Sequence, residues 1–301
     1  MYKLLGKHKN YSLHLMVLIL GFTGILGKLI TLGTLQLVWY RMLIAFIGLF
    51  LFLAIKKQLF DINKKDLFGI MGVGALVTFH WFFFFEAIKV STVSVAVVCL
   101  ATSSLFSSLI EPIFFKRKIL LYEVILGIIV LLALTYILGT DSKYLLGYFY
   151  GIIAALLGTL FTLFNAKYIE KIDAAKITMI EMFTGFLIIS ILFIIQGDYS
   201  FLQNTISLID FSYLLILGVV CTAMVFVWMT EIMRHITPYS LIMAINLEPI
   251  YSIILALLIF GESTTYGDSE IMNTSFYIGS SVIIGIVFLE GYLKKSNRLL
   301  Q

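Results

Sequence analysis

Charge is scarce in this chain. Asp, Glu, Lys and Arg make up 13% of its 301 residues, against ~25% in a typical soluble domain. With 61% of the residues hydrophobic, too few charges remain to clothe a water-facing surface, which excludes a soluble globular protein. Cysteine is almost as rare. Cys99 and Cys221 both lie in apolar runs, which excludes a disulfide framework or a thiolate zinc site and leaves them as small packing residues. Catalytic signatures are missing as well: there is no Gly-x-Ser-x-Gly, no His-Glu-x-x-His and no phosphate-binding loop. Hydrolase chemistry and ATP-driven pumping within this chain therefore find no support, and no metal or cofactor is called for. The net charge of +4 is small, and nucleic acid is not an expected partner. The basic start (Lys3, Lys7, Lys9) is followed by no small-x-small cleavage signature, so the first apolar run reads as a retained helix.

What the chain has in abundance is long apolar runs. Ten are predicted, at 12–31, 35–55, 67–87, 92–113, 119–139, 146–167, 175–195, 208–232, 238–260 and 273–293. A hydrocarbon core of ~30 Å takes about 20 helical residues to cross, and only helices or closed barrels satisfy their backbone there. Thr237-Pro238 reads as an N-cap followed by proline at the first helical position, and Ser91 as the cap of the fourth helix. With the N-terminus on the cytoplasmic side, only Lys28, Lys89 and Lys143 of the 21 Lys and Arg fall on the outer side, Arg41 lies within a span, and the rest face inward. This obeys the positive-inside rule and favours an even number of spans with both termini cytoplasmic, as in a bacterial-type cytoplasmic membrane. Acids gather outside: Asp141, Asp198, Asp210, Glu262, Asp268 and Glu270.

The chain also repeats. Moving residues 67–116 by 146 positions sets Gly72 on Gly218, Ser94 on Ser240 and Val90-Ser91 on Ile236-Thr237. The second and seventh spans align with Arg41 on Glu181, and the fifth and tenth with Gly127 on Gly279. Five spans per half is an odd number, so the second half enters from the opposite side. The expected fold is an all-α polytopic membrane protein of ten transmembrane helices in two inverted five-helix repeats, 1–142 and 143–301. Secondary transporters commonly place their site where such repeats meet.

Several segments carry a family resemblance: Asn246-Leu247-Glu248-Pro249-Ile250 followed by Leu258-Ile259-Phe260-Gly261-Glu262, Trp39-Tyr40-Arg41-Met42-Leu43, Phe84-Phe85-Glu86-Ala87-Ile88 with Ser91-Thr92, and Phe276-Tyr277-Ile278-Gly279. Together they resemble the EamA family of the drug/metabolite transporter superfamily. The resemblance implies a central cavity and transport, often export, of small metabolites by alternating access. The first half departs from the pattern. Ser103 stands where the family has a proline, and Glu111-Pro112 comes later, so the fourth helix is not expected to bend where the ninth does.

An ionisable group in hydrocarbon costs roughly 2.5–3.5 kcal/mol and needs a partner or a watery cavity. Glu248 is the leading candidate. It lies ~16 Å into its helix, beside Pro249, a predicted kink that frees the carbonyl of Ile245, and it would bind a substrate amine or carry a proton, or else serve as a structural carboxyl. Arg41 and Glu181 sit ~9 Å from opposite faces, the first able to clamp a carboxylate, and both also readable as structural ion pairs. His80 could shuttle protons and share a wall with Trp81 and Phe85, although core packing explains all three as well. Asn246, Trp228 and, more weakly, Asn165 complete the set. His14, Lys28, Glu86, Glu111 and Glu231 lie near span ends, where snorkelling accounts for them. Gly21, Gly24 and Gly27 recur every third residue and suit close helix packing. The reading that follows is a permease for a small organic solute such as an amino acid, embedded in lipid, with coupling to protons as one option and the oligomeric state open. A membrane-embedded enzyme and a non-transporting scaffold or receptor are the alternatives.

Overall fold

The computed structural model describes residues 9–58, 62–138, 144–197, 206–260 and 274–299. The motif end Gly261-Glu262 and the loop residues Asp141, Lys143, Asp198, Asp268 and Glu270 lie outside them. The described residues are helical, in the order α1 Lys9–Leu29, α2 Thr34–Ile55, α3 Lys64–Val90, α4 Val93–Leu100, α5 Ser103–Phe115, α6 Leu121–Leu138, α7 Leu145–Tyr168, α8 Ala174–Gln196, α9 Leu208–Leu215, a π-helical stretch Ile216–Met224, α10 Val225–Ile232, α11 Pro238–Ile245, α12 Glu248–Phe260 and α13 Thr274–Leu299. Among the described residues, seven stretches are long and apolar enough to cross a bilayer: Ser12–Leu29, Thr34–Ile55, Lys64–Val90, Val95–Phe115, Leu145–Tyr168, Ala174–Gln196 and Leu208–Ile232.

Local chemistry sets the helix starts. The side chains of Asn63, Asp173, Ser207 and Thr237 each accept a hydrogen bond from a first-turn backbone N–H, supplying acceptors for donors that a helix start leaves unmet. Thr237-Pro238 begins α11 as its sequence predicts. The cap of α4 is Thr92, which accepts from Val95 N at 3.1 Å. Ser91, the expected cap, instead donates back to the Ala87 carbonyl and finishes α3.

Three of the predicted apolar runs are not uninterrupted α-helices. The fourth divides at Ala101-Thr102, the eighth winds through the π-helical stretch, and the ninth divides at Asn246-Leu247. The division of the fourth corrects the expectation that it would not bend without proline. Hydroxyls stand in for the missing ring: Thr102 Oγ1 donates to the Cys99 carbonyl at 2.7 Å and Ser104 Oγ to the Ala101 carbonyl at 2.9 Å. Backbone bonds tighten to i−3 across the same turn, Ala101 N to Val98 O and Thr102 N to Cys99 O, both at 3.1 Å. Side-chain bonds of this kind compete with the regular ladder and bend helices.

The helices pack across the two halves of the chain. α2 lies on α8, α6 on α13, and α5 on α11. Small residues permit the closest crossings. A Cβ on Gly24 would come within 2.8 Å of the Val93 side chain, and one on Gly74 within 2.9 Å of the Glu181 backbone. Outward faces carry bare apolar side chains, with Ile55 and Leu208 each 82% exposed. This is the surface of a protein solvated by lipid rather than by water.

Glu111 requires a correction. Its position suggests snorkelling to the interface, yet it is buried. Its carboxylate accepts from the backbone N–H of Tyr239 at 2.6 Å, in the first turn of α11, and pairs with Arg117 Nε at 3.2 Å. Arg117 also reaches Glu123 at 2.5 Å, and the Tyr239 hydroxyl donates to the Glu123 carbonyl at 3.1 Å. Ser240 Oγ donates to Glu290 at 2.8 Å. The α11 start needs an acceptor for its free N–H groups, and a carboxylate there also complements the helix dipole. This polar cluster ties α5 and α6 to α11 and α13 at the end of the molecule that carries Lys116, Arg117 and Lys118.

Candidate functional site

Both helix divisions open onto one cavity of about 80 Å³, room for several waters or a small solute. Leu100, Ala101 and Ser103 reach it from the fourth run, and Ile245, Asn246 and Glu248 from the ninth. Trp81, Phe84, Phe161 and Phe226 supply aromatic wall, and Thr23, Arg41, His80 and Thr162 supply polar groups. Of the residues singled out in the sequence, Arg41, His80, Trp81, Asn246 and Glu248 are thus brought together from α2, α3 and the α11–α12 division.

Arg41 is 1% exposed and held from several sides. Its Nε donates to Thr222 Oγ1 at 2.6 Å and Nη2 to the Cys221 carbonyl at 3.5 Å. Its guanidinium carbon lies 3.8 Å from the centre of the Trp81 ring and 5.6 Å from that of Phe85. The π-helical stretch builds this seat. Thr222 donates five residues back to the Leu217 carbonyl at 2.6 Å, and a Cβ on Gly218 would sit within 2.8 Å of the Ile44 side chain, so glycine allows α2 to lie close. π-bulges recur at functional sites because they redirect backbone groups. The Nη1 of Arg41 has no partner among the described residues, which leaves one arm of the fork for a ligand.

Glu248 begins α12 beside the same cavity, buried, and within electrostatic reach of Arg41. Among the described residues no ion pair joins them, and no side chain donates to the Glu248 carboxylate. The proline that follows it lacks a donor for the Ile245 carbonyl, and Ile245 is itself part of the cavity wall. His80 Nδ1 lies 2.7 Å from the Ala154 carbonyl. A carbonyl only accepts, so Nδ1 carries the proton and Nε2 is the acceptor of the neutral ring. Phe161 meets the His80 ring edge-on at 5.2 Å.

The first division is polar without being charged. Ser103 Oγ donates to the Ala155 carbonyl at 3.0 Å, and Thr159 Oγ1 returns a bond to the Ser103 carbonyl at 3.3 Å. These bonds stitch α5 to α7.

Four of the expected residues, Phe85, Trp228, Glu181 and Asn165, lie outside the cavity wall. Phe85 is fully buried behind Arg41, in the space left by Gly27. Trp228 is buried, with its indole N–H unpartnered among the described residues. Glu181 sits in α8 against Gly74 of α3 and does not pair with Arg41, its counterpart in the aligned halves; its interacting neighbour is Asn165 of α7. Sequence reasoning passed over Thr23, Ser103, Phe161, Phe226 and Thr222. The aromatics and hydroxyls among them look like any others in an apolar run, and the π winding that seats Arg41 has no sequence signature of its own.

Comparison with known proteins agrees with this architecture. A model of the EamA-like transporter family matches residues 11–139 and again 145–289. A protein of Clostridium kluyveri described as an uncharacterized transporter is 24% identical over 237 residues, covering 76% of this chain and 70% of its own. One solved crystal structure superposes with a TM-score of 0.74 at 12% identity, over 97% of this chain and 98% of the other, a likeness of fold.

Proposed function

The chain belongs to the EamA-like transporter family and is a membrane transporter; from that premise we propose that it exports small organic metabolites, amino acids or related solutes, by alternating access around the cavity between the two divided helices. The observation that carries this reading is the pairing of Arg41 and Glu248 on one aromatic-walled cavity without a bond between them. A guanidinium with a free arm suits a carboxylate, an unpartnered carboxylate suits an amine, and Trp81, Phe84, Phe161 and Phe226 suit an apolar body between the two.

In this reading the chain comprises ten transmembrane helices in two inverted repeats, 1–142 and 143–301, with both termini cytoplasmic in a bacterial-type cytoplasmic membrane. Three packing pairs support the inversion, because α2 with α8, α6 with α13 and α5 with α11 are the partners that a two-fold relation between the halves would bring together. The divisions of the fourth and ninth runs also fall within about one residue of matching register under the 146-residue shift. The cavity is small, so a larger solute would be admitted by movement at these divisions.

The test is flux. The protein is reconstituted in liposomes, screened for thermal stabilisation by amino acids, nucleosides and organic cations, and each hit is followed as uptake and efflux. Saturable flux that falls steeply in Glu248→Gln supports the reading. Flux unchanged by that substitution would remove Glu248 from the site, and conversion of the solute into a new compound would replace transport with catalysis.

A further inference from the structure

A second polar site lies outside the cavity. Glu181 is fully buried in α8, and neither of its carboxyl oxygens meets a hydrogen-bond partner among the described residues. Asn165, 2% exposed on α7, brings its side-chain amide close to the Glu181 carboxyl without reaching hydrogen-bond geometry, and its Oδ1 is equally unmet. Thr178, one turn earlier than Glu181 on the same face of α8, is fully buried, and its hydroxyl is unpartnered too. Thr159, Thr162 and Thr184 each donate to the carbonyl four residues back, at 3.0, 2.8 and 2.8 Å, so the idle hydroxyl of Thr178 is not the habit of threonine in these helices. Four buried oxygens without partners among the described residues thus gather on two helices that both pack on α3.

An ionised carboxylate cannot be stable in such a place without a cation or donors. None of the charged groups on the elements packed against α8 supplies one. On α2, Arg41 is turned to Thr222 and the Cys221 carbonyl. On α3, His80 is bound to the Ala154 carbonyl, and Lys89 reaches Ile30 O; Lys64, Lys65, Asp66 and Glu86 lie toward its ends. On α10, Glu231 pairs with Arg234 at 3.2 Å. A single proton on Glu181 would satisfy two of the unmet atoms at once, the acid O–H donating to Asn165 Oδ1. The site is also connected to the cavity. Thr162 lines the cavity, and Asn165 lies three residues further along the same face of α7. Gly74 lets the α3 backbone close over Glu181 on the other side.

We propose that Glu181, with Asn165 and Thr178, forms a proton-binding site separate from the solute cavity, one helical turn removed from its wall, and that loading and release of this proton accompany movement of α7 and α8 on α3, the helix on which both pack. Glu181 holds the proton, Asn165 accepts its hydrogen bond and reports the state of the cavity wall, and the Thr178 hydroxyl is available as a donor to the other carboxyl oxygen. Proton binding stands on the geometry alone. Its coupling to solute movement rests on the transport reading above.

Dicyclohexylcarbodiimide separates the two, since it reacts with protonated carboxyls in apolar surroundings and requires no solute. The full chain in nanodiscs is treated across a pH series, and modification at each carboxyl is read by peptide mass spectrometry. Expected are modification at residue 181 that declines at least tenfold as the pH is raised, its absence in Glu181→Gln, its persistence in Glu248→Gln, and a shifted pH midpoint in Asn165→Leu. Absence of modification at Glu181 at every pH, or modification indifferent to pH, would overturn the site. Protection by sodium chloride but not choline chloride would overturn the proton in favour of a sodium ion. In liposomes, a Glu181→Gln variant that keeps flux down the solute gradient but loses its response to a pH gradient supports the coupling. An unchanged response to the pH gradient would overturn the coupling while leaving the site. Failure of any solute to cross, with Glu181 still modified, would count against transport alone.

Discussion

The fourth and ninth apolar runs divide at matching places, and they do so by different chemistry. In the ninth, the division at Asn246-Leu247 leads straight into Glu248-Pro249, a charge and a missing donor. In the fourth, Thr102 and Ser104 compete with the regular ladder through hydroxyl-to-carbonyl bonds, while Ser103 Oγ donates across to the Ala155 carbonyl of α7 and Thr159 Oγ1 donates to the Ser103 carbonyl at 3.3 Å. Both divisions reach the same cavity. The comparison shows that a helix break needs only local competition for backbone groups, whereas a binding charge needs one particular residue. The two halves can share a geometry while only the second contributes a carboxylate.

Six substitutions test how far that asymmetry extends. The largest effect is expected at the anchor of α11, where Glu111 of the fourth run accepts from the Tyr239 N–H and is itself held by Arg117. Arg117→Leu strands Glu111 and Glu123 together and should cost ~3–5 kcal/mol, read as a lower unfolding midpoint in detergent; an unchanged midpoint would mean that the α11 start is held by other contacts. Next is Glu248→Gln, which should weaken binding of an amine-bearing solute by ~2–5 kcal/mol, about 30- to 4,000-fold, measured by calorimetry or flux. Thr102→Val at the other division should change the same affinity by less than about threefold. Equal losses at the two positions would dissolve the distinction drawn between the divisions.

Arg41→Lys comes third. It keeps the charge but loses the fork that spans Thr222 and the Cys221 carbonyl, and a hydrogen bond to a charged group is worth ~1.5–3 kcal/mol. Carboxylate-bearing solutes should bind about 10- to 100-fold less tightly, whereas solutes without a carboxylate should be little affected. The smallest effect belongs to the hydroxyl stitching. Ser103→Ala and Thr159→Val should each cost ~1 kcal/mol of stability, with a double-mutant coupling of about 0.5 kcal/mol or more. Strict additivity would show that the two bonds between α5 and α7 act independently.

Much of the helical layout is legible in the linear order of residues. Apolar runs predict helices within a few residues of Thr34–Ile55 and Ala174–Gln196, because hydropathy is a local sum and one face of each helix meets lipid whatever its neighbours are. Thr237-Pro238 is legible as a helix start for the same reason, since a cap acts within one turn. Ser91 and Thr92 were harder to tell apart, because adjacent hydroxyls can both serve and only the backbone path chooses. The division of the fourth run carries no proline to mark it, and hydroxyls that bend a helix look like any others in an apolar run. Glu111 was misplaced because proximity to a span end says nothing of the α11 start, 128 positions away in sequence.

Sequence by itself determined that this protein lives in lipid and that a carboxylate stands beside a proline in the ninth run. These follow from residue type and spacing along single helices. Tertiary structure alone decided that the two divisions meet at one cavity, that Arg41 is seated by a π-helical turn rather than paired with Glu181, and that Glu181 is enclosed with Asn165 and Thr178 outside the cavity wall. Such partnerships depend on how each helix is rotated about its axis and how closely its neighbours approach. Those quantities are set by packing between segments far apart in the chain.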